Sequence, residues 1–123
     1  MRLSSEIANL TIELRGRYAR ILAAGDPVVL SGFARMLLSA PDLNYRDLGL
    51  ALRAAEAANT ASKGQDPSVL STYALALFKN DKRAQALELT RKALALAPDE
   101  QVAQDLRRSL ELYEQAETTA PAD

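Results

Sequence analysis

A thirteen-residue stretch of this chain occurs twice, and the second copy begins forty residues after the first. Residues 26–38 and 66–78 are identical at seven of their thirteen positions, and Phe33 corresponds to Tyr73. Self-similarity at a period of about 20 to 50 residues is typical of repeat proteins, in which one unit cannot bury its apolar face alone and packs against the next. The repetition therefore predicts a stack of similar units.

Both copies begin with a signal for starting a helix. Asp26-Pro27 and Asp66-Pro67 each place a carboxylate where it can cap free backbone N–H groups, followed by a proline that loses no hydrogen bond at the first helical position. Apolar residues then recur at spacings of three and four, which predicts one buried helical face. In the first copy that face consists of Leu30, Phe33, Ala34, Leu37 and Leu38.

The same reasoning extends along the chain and predicts six helices joined by short turns. Asp47 and Pro98-Asp99 mark two further helix starts. We expect an N-terminal amphipathic helix over residues 1–25, two helical hairpins plus a capping helix over 26–117, and a disordered tail over 118–123. The fold class is therefore all-α.

The N-terminal segment has an apolar face that something must cover. Its members are Ile7, Leu10, Leu14, Tyr18 and Ile21. Arg17 interrupts the spacing, so the uninterrupted heptads of a coiled coil are missing. Two arrangements remain open: a monomer in which this helix packs on its own repeats, and a homodimer formed through it.

Residues 67–98 resemble one complete tetratricopeptide repeat without gaps. The matching residues are Leu70, Tyr73, Ala74, Leu77, Ala86, Ala93 and Pro98. This sequence departs from the family at three positions: Leu70 where Trp is common, Asp81 where Gly usually turns the chain, and Thr90 where an aromatic residue is common. Residues 27–60 resemble a looser second copy with a longer inter-helix loop at 40–46. The resemblance implies a right-handed solenoid of helical hairpins.

The composition argues against catalysis. The chain contains no Cys and no His, which removes the commonest general base, the commonest partner that activates a nucleophile and the two best zinc ligands. No glycine-rich phosphate loop and no cation-binding spacing of oxygen ligands is present. We therefore expect no enzymatic activity, no catalytic residue, no metal and no cofactor.

The tetratricopeptide resemblance implies a protein or peptide partner, held in a concave groove lined by the first helix of each hairpin. The groove positions that we single out as partner-binding are Ser31, Arg35, Leu38, Ser71, Leu75, Phe78 and Lys79. The carboxylate clamp of the chaperone-binding members, built from Lys and Asn side chains, is not reproduced here. Arg35 and Lys79 would suit an acidic partner, and the alternative is that both are simply solvated.

Other partners are disfavoured by the charge pattern. The formal net charge of −1 gives no broad cationic field for nucleic acid or an anionic membrane. No apolar run reaches membrane-spanning length, and the first residues lack the apolar stretch of a signal peptide. We expect a soluble segment, cytoplasmic if the chain is complete.

A second function from a different class stays open. Alanine-rich repeat pairs that begin with Asp-Pro resemble the C-terminal repeats of bacterial multidomain proteins, which sometimes follow a thioredoxin-like domain. The alternative to an interaction module is thus a structural dimerisation or scaffold element appended to a larger protein.

Overall fold

The computed structural model describes residues 16, 19, 20, 22, 23, 25–39 and 47–119. Within these residues every regular element is a helix and no strand occurs, which confirms the all-α prediction. The helices are α1 (Pro27–Ser39), α2 (Leu48–Ala61), α3 (Pro67–Lys79), α4 (Arg83–Ala95) and α5 (Glu100–Thr119).

Three parts of the predicted organisation lie wholly or partly outside the described residues. Of the predicted N-terminal helix 1–25, residues 16, 19, 20, 22 and 23 are described, and all five are helical. The inter-helix loop 40–46 and residues 120–123 of the predicted tail are not described. Helix α5 continues to Thr119, so it includes the first two residues of that tail.

Aspartate side chains begin four of these helices, as the sequence predicted. The carboxylate of Asp66 accepts hydrogen bonds from the backbone N–H groups of Ser68 (2.9 Å) and Val69 (3.4 Å). The equivalent contacts join Asp26 to Val28 (2.9 Å), Asp47 to Leu50 (2.9 Å) and Asp99 to Val102 (2.9 Å). Each cap satisfies N–H groups that have no partner within the helix.

Helices α2 and α3 end in the same way, with a residue in the left-handed conformation. Lys63 (φ 60°) follows α2 and Asp81 (φ 63°) follows α3. After α3, the N–H of Lys82 donates to the carbonyl of Leu77 (2.9 Å) and the N–H of Asp81 to that of Phe78 (3.2 Å). This is the Schellman pattern, which usually has glycine at the left-handed position.

The helices pack in chain order, and α1 also packs directly against α3. Close approach is possible because the contact surfaces are rich in alanine. Ala34 of α1, Ala55 of α2 and Ala76 of α3 belong to one buried cluster and have no solvent exposure. A second cluster joins Ala74 and Leu77 of α3 to Ala86 of α4 and Tyr113 of α5.

Helix α3 packs against α1, α2 and α4, so more than one of its faces is buried. The predicted inner face consisted of Leu70, Tyr73, Ala74, Leu77 and Phe78, of which Tyr73 and Phe78 are only half-buried and the other three are buried. Val69, Thr72 and Ala76 are also buried, which the periodicity did not indicate. The end of α3 is tied to the start of α2, because the Asn80 side-chain amide donates to the carbonyls of Ala76 (2.8 Å) and Leu48 (2.9 Å).

Candidate partner-binding site

A cavity of about 340 Å³ lies where α1, α3 and α5 meet. We call it the Arg35 cavity. Its lining residues are Arg35 from α1, Asp66, Pro67, Ser68 and Ser71 from the start of α3, and Pro98, Val102, Asp105 and Leu106 from the start of α5. The fold brings together residues of three helices that are not consecutive in the sequence, and these residues line one cavity.

A buried threonine holds Arg35 in place. The Thr72 side chain has no solvent exposure, and its hydroxyl donates to the carbonyl of Ser68 (3.2 Å). The same oxygen accepts hydrogen bonds from the hydroxyl of Ser31 (3.0 Å) and from Nε of Arg35 (2.8 Å). One donor and two acceptor positions exhaust the bonding capacity of a hydroxyl. Thr72 is therefore a fully used junction between α1 and α3.

The bond to Thr72 uses Nε of Arg35, and within the described residues the two terminal amino groups of the guanidinium are left for a ligand. Among the described residues, the ion pairs on α5 join Arg107 to Glu100 (2.8 Å) and Arg108 to Asp105 (4.0 Å), and no carboxylate there pairs with Arg35. A guanidinium fixed at one nitrogen can still bind a carboxylate through two parallel hydrogen bonds.

The two acidic residues of the cavity are already engaged. The Asp66 carboxylate caps α3, and the Asp105 carboxylate accepts a hydrogen bond from Gln101 (3.3 Å) and lies 4.0 Å from Arg108. Pro67, Pro98, Val102 and Leu106 supply apolar walls. The cavity thus combines the Arg35 cation with two carboxylates that already have partners, hydroxyl groups and an apolar lining.

An aromatic pair lies further along the same helices. The rings of Phe78 and Tyr113 are stacked, with centroids 4.5 Å apart and planes inclined at 26°. Tyr113 is 2% exposed. Burial raises the pKa of the Tyr113 phenol above its usual 10.0, while the positive charge of Arg35 and a hydrogen bond with Ser109 partly oppose that rise.

The structure places the predicted partner-binding residues in three different settings. Arg35 and Ser71 line the cavity. Ser31 does not line it: its side chain is buried, and its hydroxyl donates to that of Thr72. The second setting is the interior: Leu38 is 4% exposed within the core, and Leu75 packs half-buried against the same cluster. The third is the far end of α3, where Phe78 is half-buried against Tyr113 and Lys79 is exposed.

Leu38 therefore offers a partner almost no surface. It belongs to the buried cluster that also contains residues of α2 and α3, so the packing of these helices covers it. Equivalent positions in a repeat have equivalent exposure only where their neighbours are equivalent. Phe78, the corresponding residue of the second copy, is half-buried.

Sequence reasoning missed Thr72 and the contribution of α5. Thr72 corresponds to Gly32 in the first copy, so a comparison of the two copies gave it no weight. Pro98-Asp99 was recognised as the start of a capping helix, but this local signal does not specify that the helix contributes Val102, Asp105 and Leu106 to a cavity shared with α1 and α3.

Neither a metal centre nor a membrane span is found in the part of the chain that the structure describes. No group of three or more His, Cys, Asp and Glu residues there could hold a metal ion, and none of its helices is long and apolar enough to cross a bilayer. Comparisons with protein-family models, with curated proteins and with solved structures found no match to this chain.

Proposed function

We propose that this chain is a protein–protein interaction module that binds a peptide or protein partner on the surface formed by α1, α3 and α5. One observation carries this function: three helices distant in sequence converge on a cavity that presents a positioned cation beside hydroxyl groups and apolar walls. Such a mixture of an apolar surface with a few placed polar groups is characteristic of binding sites.

The proposed architecture is a short tetratricopeptide-like solenoid, in which α1 pairs with α2, α3 pairs with α4, and α5 is the capping helix. Two contacts support it. Helix α1 packs against α3 as well as against α2, as expected if the first helices of successive hairpins lie side by side. Helix α5 packs against α4 and also reaches α3 through the Tyr113–Phe78 stack.

The partner that this surface suits carries an acidic side chain next to apolar ones. Arg35 would bind the carboxylate, while Val102 and Leu106 would contact the apolar part. Lys79 at the exposed end of α3 would add a second favourable charge. Hydrogen bonds to charged groups contribute about 1.5–3 kcal/mol each, so we expect modest affinity from one such contact on a small surface.

The test is a binding measurement with a charge-matched control. Fluorescently labelled short peptides that combine acidic with apolar residues are screened by anisotropy. Arg35→Glu with Lys79→Glu should abolish binding of the best peptide while the helical circular dichroism stays unchanged. The control, Lys82→Glu with Arg91→Glu, changes the net charge equally at exposed residues that lie outside the cavity.

Equal loss of binding in both double variants would show a non-specific charge effect and reject the site. Unchanged binding in Arg35→Glu with Lys79→Glu would show that the peptide binds at another site. A single Arg35→Lys change should weaken binding by about tenfold, because lysine keeps the charge but lacks the planar group that bonds to Thr72 and to a carboxylate at once.

A further inference from the structure

The walls of the Arg35 cavity carry more negative than positive charge. Among the described residues that line it are one arginine and two aspartates, Arg35, Asp66 and Asp105, so their formal charge is −1. A ligand whose only charges are carboxylates would be attracted by Arg35 and repelled by both aspartates. Charge complementarity therefore favours a ligand that carries a positive group beside the negative one.

The two aspartates differ in how firmly their carboxylates are held. Asp66 is half-buried, and its carboxylate accepts hydrogen bonds from the N–H groups of Ser68 (2.9 Å) and Val69 (3.4 Å) at the start of α3. The Asp105 side chain is 60% exposed, and its ion pair with Arg108 is 4.0 Å long. Because exposed ion pairs of this kind contribute little stability, a cation from a ligand can replace Arg108 at the Asp105 carboxylate.

Arg35 and Asp105 come from different helices, α1 and α5, and line the same cavity. Its volume of about 340 Å³ is at the lower end of the range for ligand pockets, roughly 300 to 1,000 Å³. A peptide that reaches both groups in so small a space has its own two charges on residues close in sequence. In an extended peptide, side chains two residues apart point to the same side and lie about 7 Å apart.

We propose that the partner segment bound in the Arg35 cavity carries an acidic and a basic residue two positions apart. Its carboxylate binds Arg35, and its ammonium or guanidinium group binds Asp105. This inference rests on the function proposed above and specifies the ligand of that site. Val102 and Leu106, on the same helix as Asp105, contact the apolar part of the segment.

Fluorescence anisotropy with three labelled peptides tests the proposal. The peptides share an apolar frame with one Glu, and the residue two positions away is Lys, Gln or Glu; each is made in both orders. The full chain should bind the Lys peptide about three- to fivefold more tightly than the Gln peptide, and the Glu peptide least tightly. Asp105→Asn should remove the difference between the Lys and Gln peptides, whereas Arg35→Glu should abolish binding of all three.

Glu111→Gln is the matched control for Asp105→Asn. Glu111 is an exposed acid on the same helix and does not line the cavity. Its carboxylate accepts a hydrogen bond from Gln115 (3.3 Å), as that of Asp105 does from Gln101 (3.3 Å). Glu111→Gln therefore removes the same charge from a similar setting, and it should leave the preference for the Lys peptide unchanged.

The outcomes separate this inference from the function on which it rests. Equal binding of the Lys and Gln peptides, tighter binding of the Glu peptide, or a preference for Lys that survives Asp105→Asn would overturn the inference. If binding is still lost in Arg35→Glu, the cavity remains the site. A preference reduced equally by Asp105→Asn and Glu111→Gln would also overturn it, as a general charge effect. Binding that persists in Arg35→Glu, or no binding by any of the three peptides, would reject the proposed function as well.

Discussion

At the scale of single residues, the hydroxyl of Thr72 decides how α1 meets α3. It accepts from Ser31 and Arg35 and donates to the carbonyl of Ser68. Thr90 is buried to the same degree, at 1% exposure, but its hydroxyl donates only to the carbonyl of Ala86 in its own helix (2.7 Å). The two threonines are almost equally buried, but only the Thr72 hydroxyl forms hydrogen bonds to another helix.

We therefore expect Thr72→Val to cost about 1–3 kcal/mol of unfolding free energy, because the buried Ser31 hydroxyl loses its partner. Thr90→Val should cost clearly less, since the Ala86 carbonyl keeps its bond within the helix. Urea denaturation followed by circular dichroism measures both. Similar losses for the two variants would show that the hydrogen bonds from Thr72 to α1 add no stability beyond that of a buried threonine.

A second residue-scale feature is the left-handed Asp81 after α3. Asp81→Gly should raise the unfolding free energy by about 0.5–1 kcal/mol, because glycine adopts this conformation without steric cost. Asp81→Val should lower it by about 1–2 kcal/mol, since a β-branched residue is poorly accommodated at positive φ. Thermal or urea unfolding gives both values. A stabilising valine would contradict the conformation assigned to this turn.

At the scale of elements, the sequence predicted the helix starts and most buried positions well. Aspartate caps and apolar spacing are local signals, so Asp26, Asp47 and Asp66 were recognisable without the fold. The burial of Val69 and Thr72 was not, because it arises from the flanks of α3 that meet other helices. Periodicity indicates one buried face, whereas a helix surrounded by neighbours has several.

The candidate site was predicted in part for the same reason. Arg35 and Ser71 belong to the repeated stretch and were singled out by their positions in it. Leu38 was assigned both to the buried face of α1 and to the partner-binding groove, and the structure buries it in the core. The cavity walls on α5 depend on how the last helix folds back, which no local pattern specifies.

The close contact between α3 and α4 gives an element-scale prediction. Ala74 and Ala86 are 1% and 0% exposed and belong to one buried cluster. Ala86→Leu should therefore cost about 1–3 kcal/mol by overpacking. Ala95→Leu, at an exposed position of the same helix, should change stability by less than about 0.5 kcal/mol. Equal costs in urea denaturation would mean that the helices are not in close contact at Ala86.

At the scale of the whole molecule, the helices build a surface that none of them has alone. Helix α1 contributes the cation, α3 the hydroxyl groups, and α5 the apolar wall. The alanine-rich contacts behind this surface fix the distances between the three helices. The partner binding that we propose for the Arg35 cavity would accordingly depend on the packing of the three helices, and we expect it to be lost when they separate even if each helix persists.

The most direct measurement is an NMR titration of the ¹⁵N-labelled chain with the best-binding acidic and apolar peptide. Saturable shift changes should concentrate at Arg35, Ser71, Thr72 and Val102, and should disappear in Arg35→Glu. Residues on the outer faces of α2 and α4 should stay unchanged. Shift changes centred on α2 or α4, or saturable binding that persists in Arg35→Glu, would contradict the proposed role of this cavity.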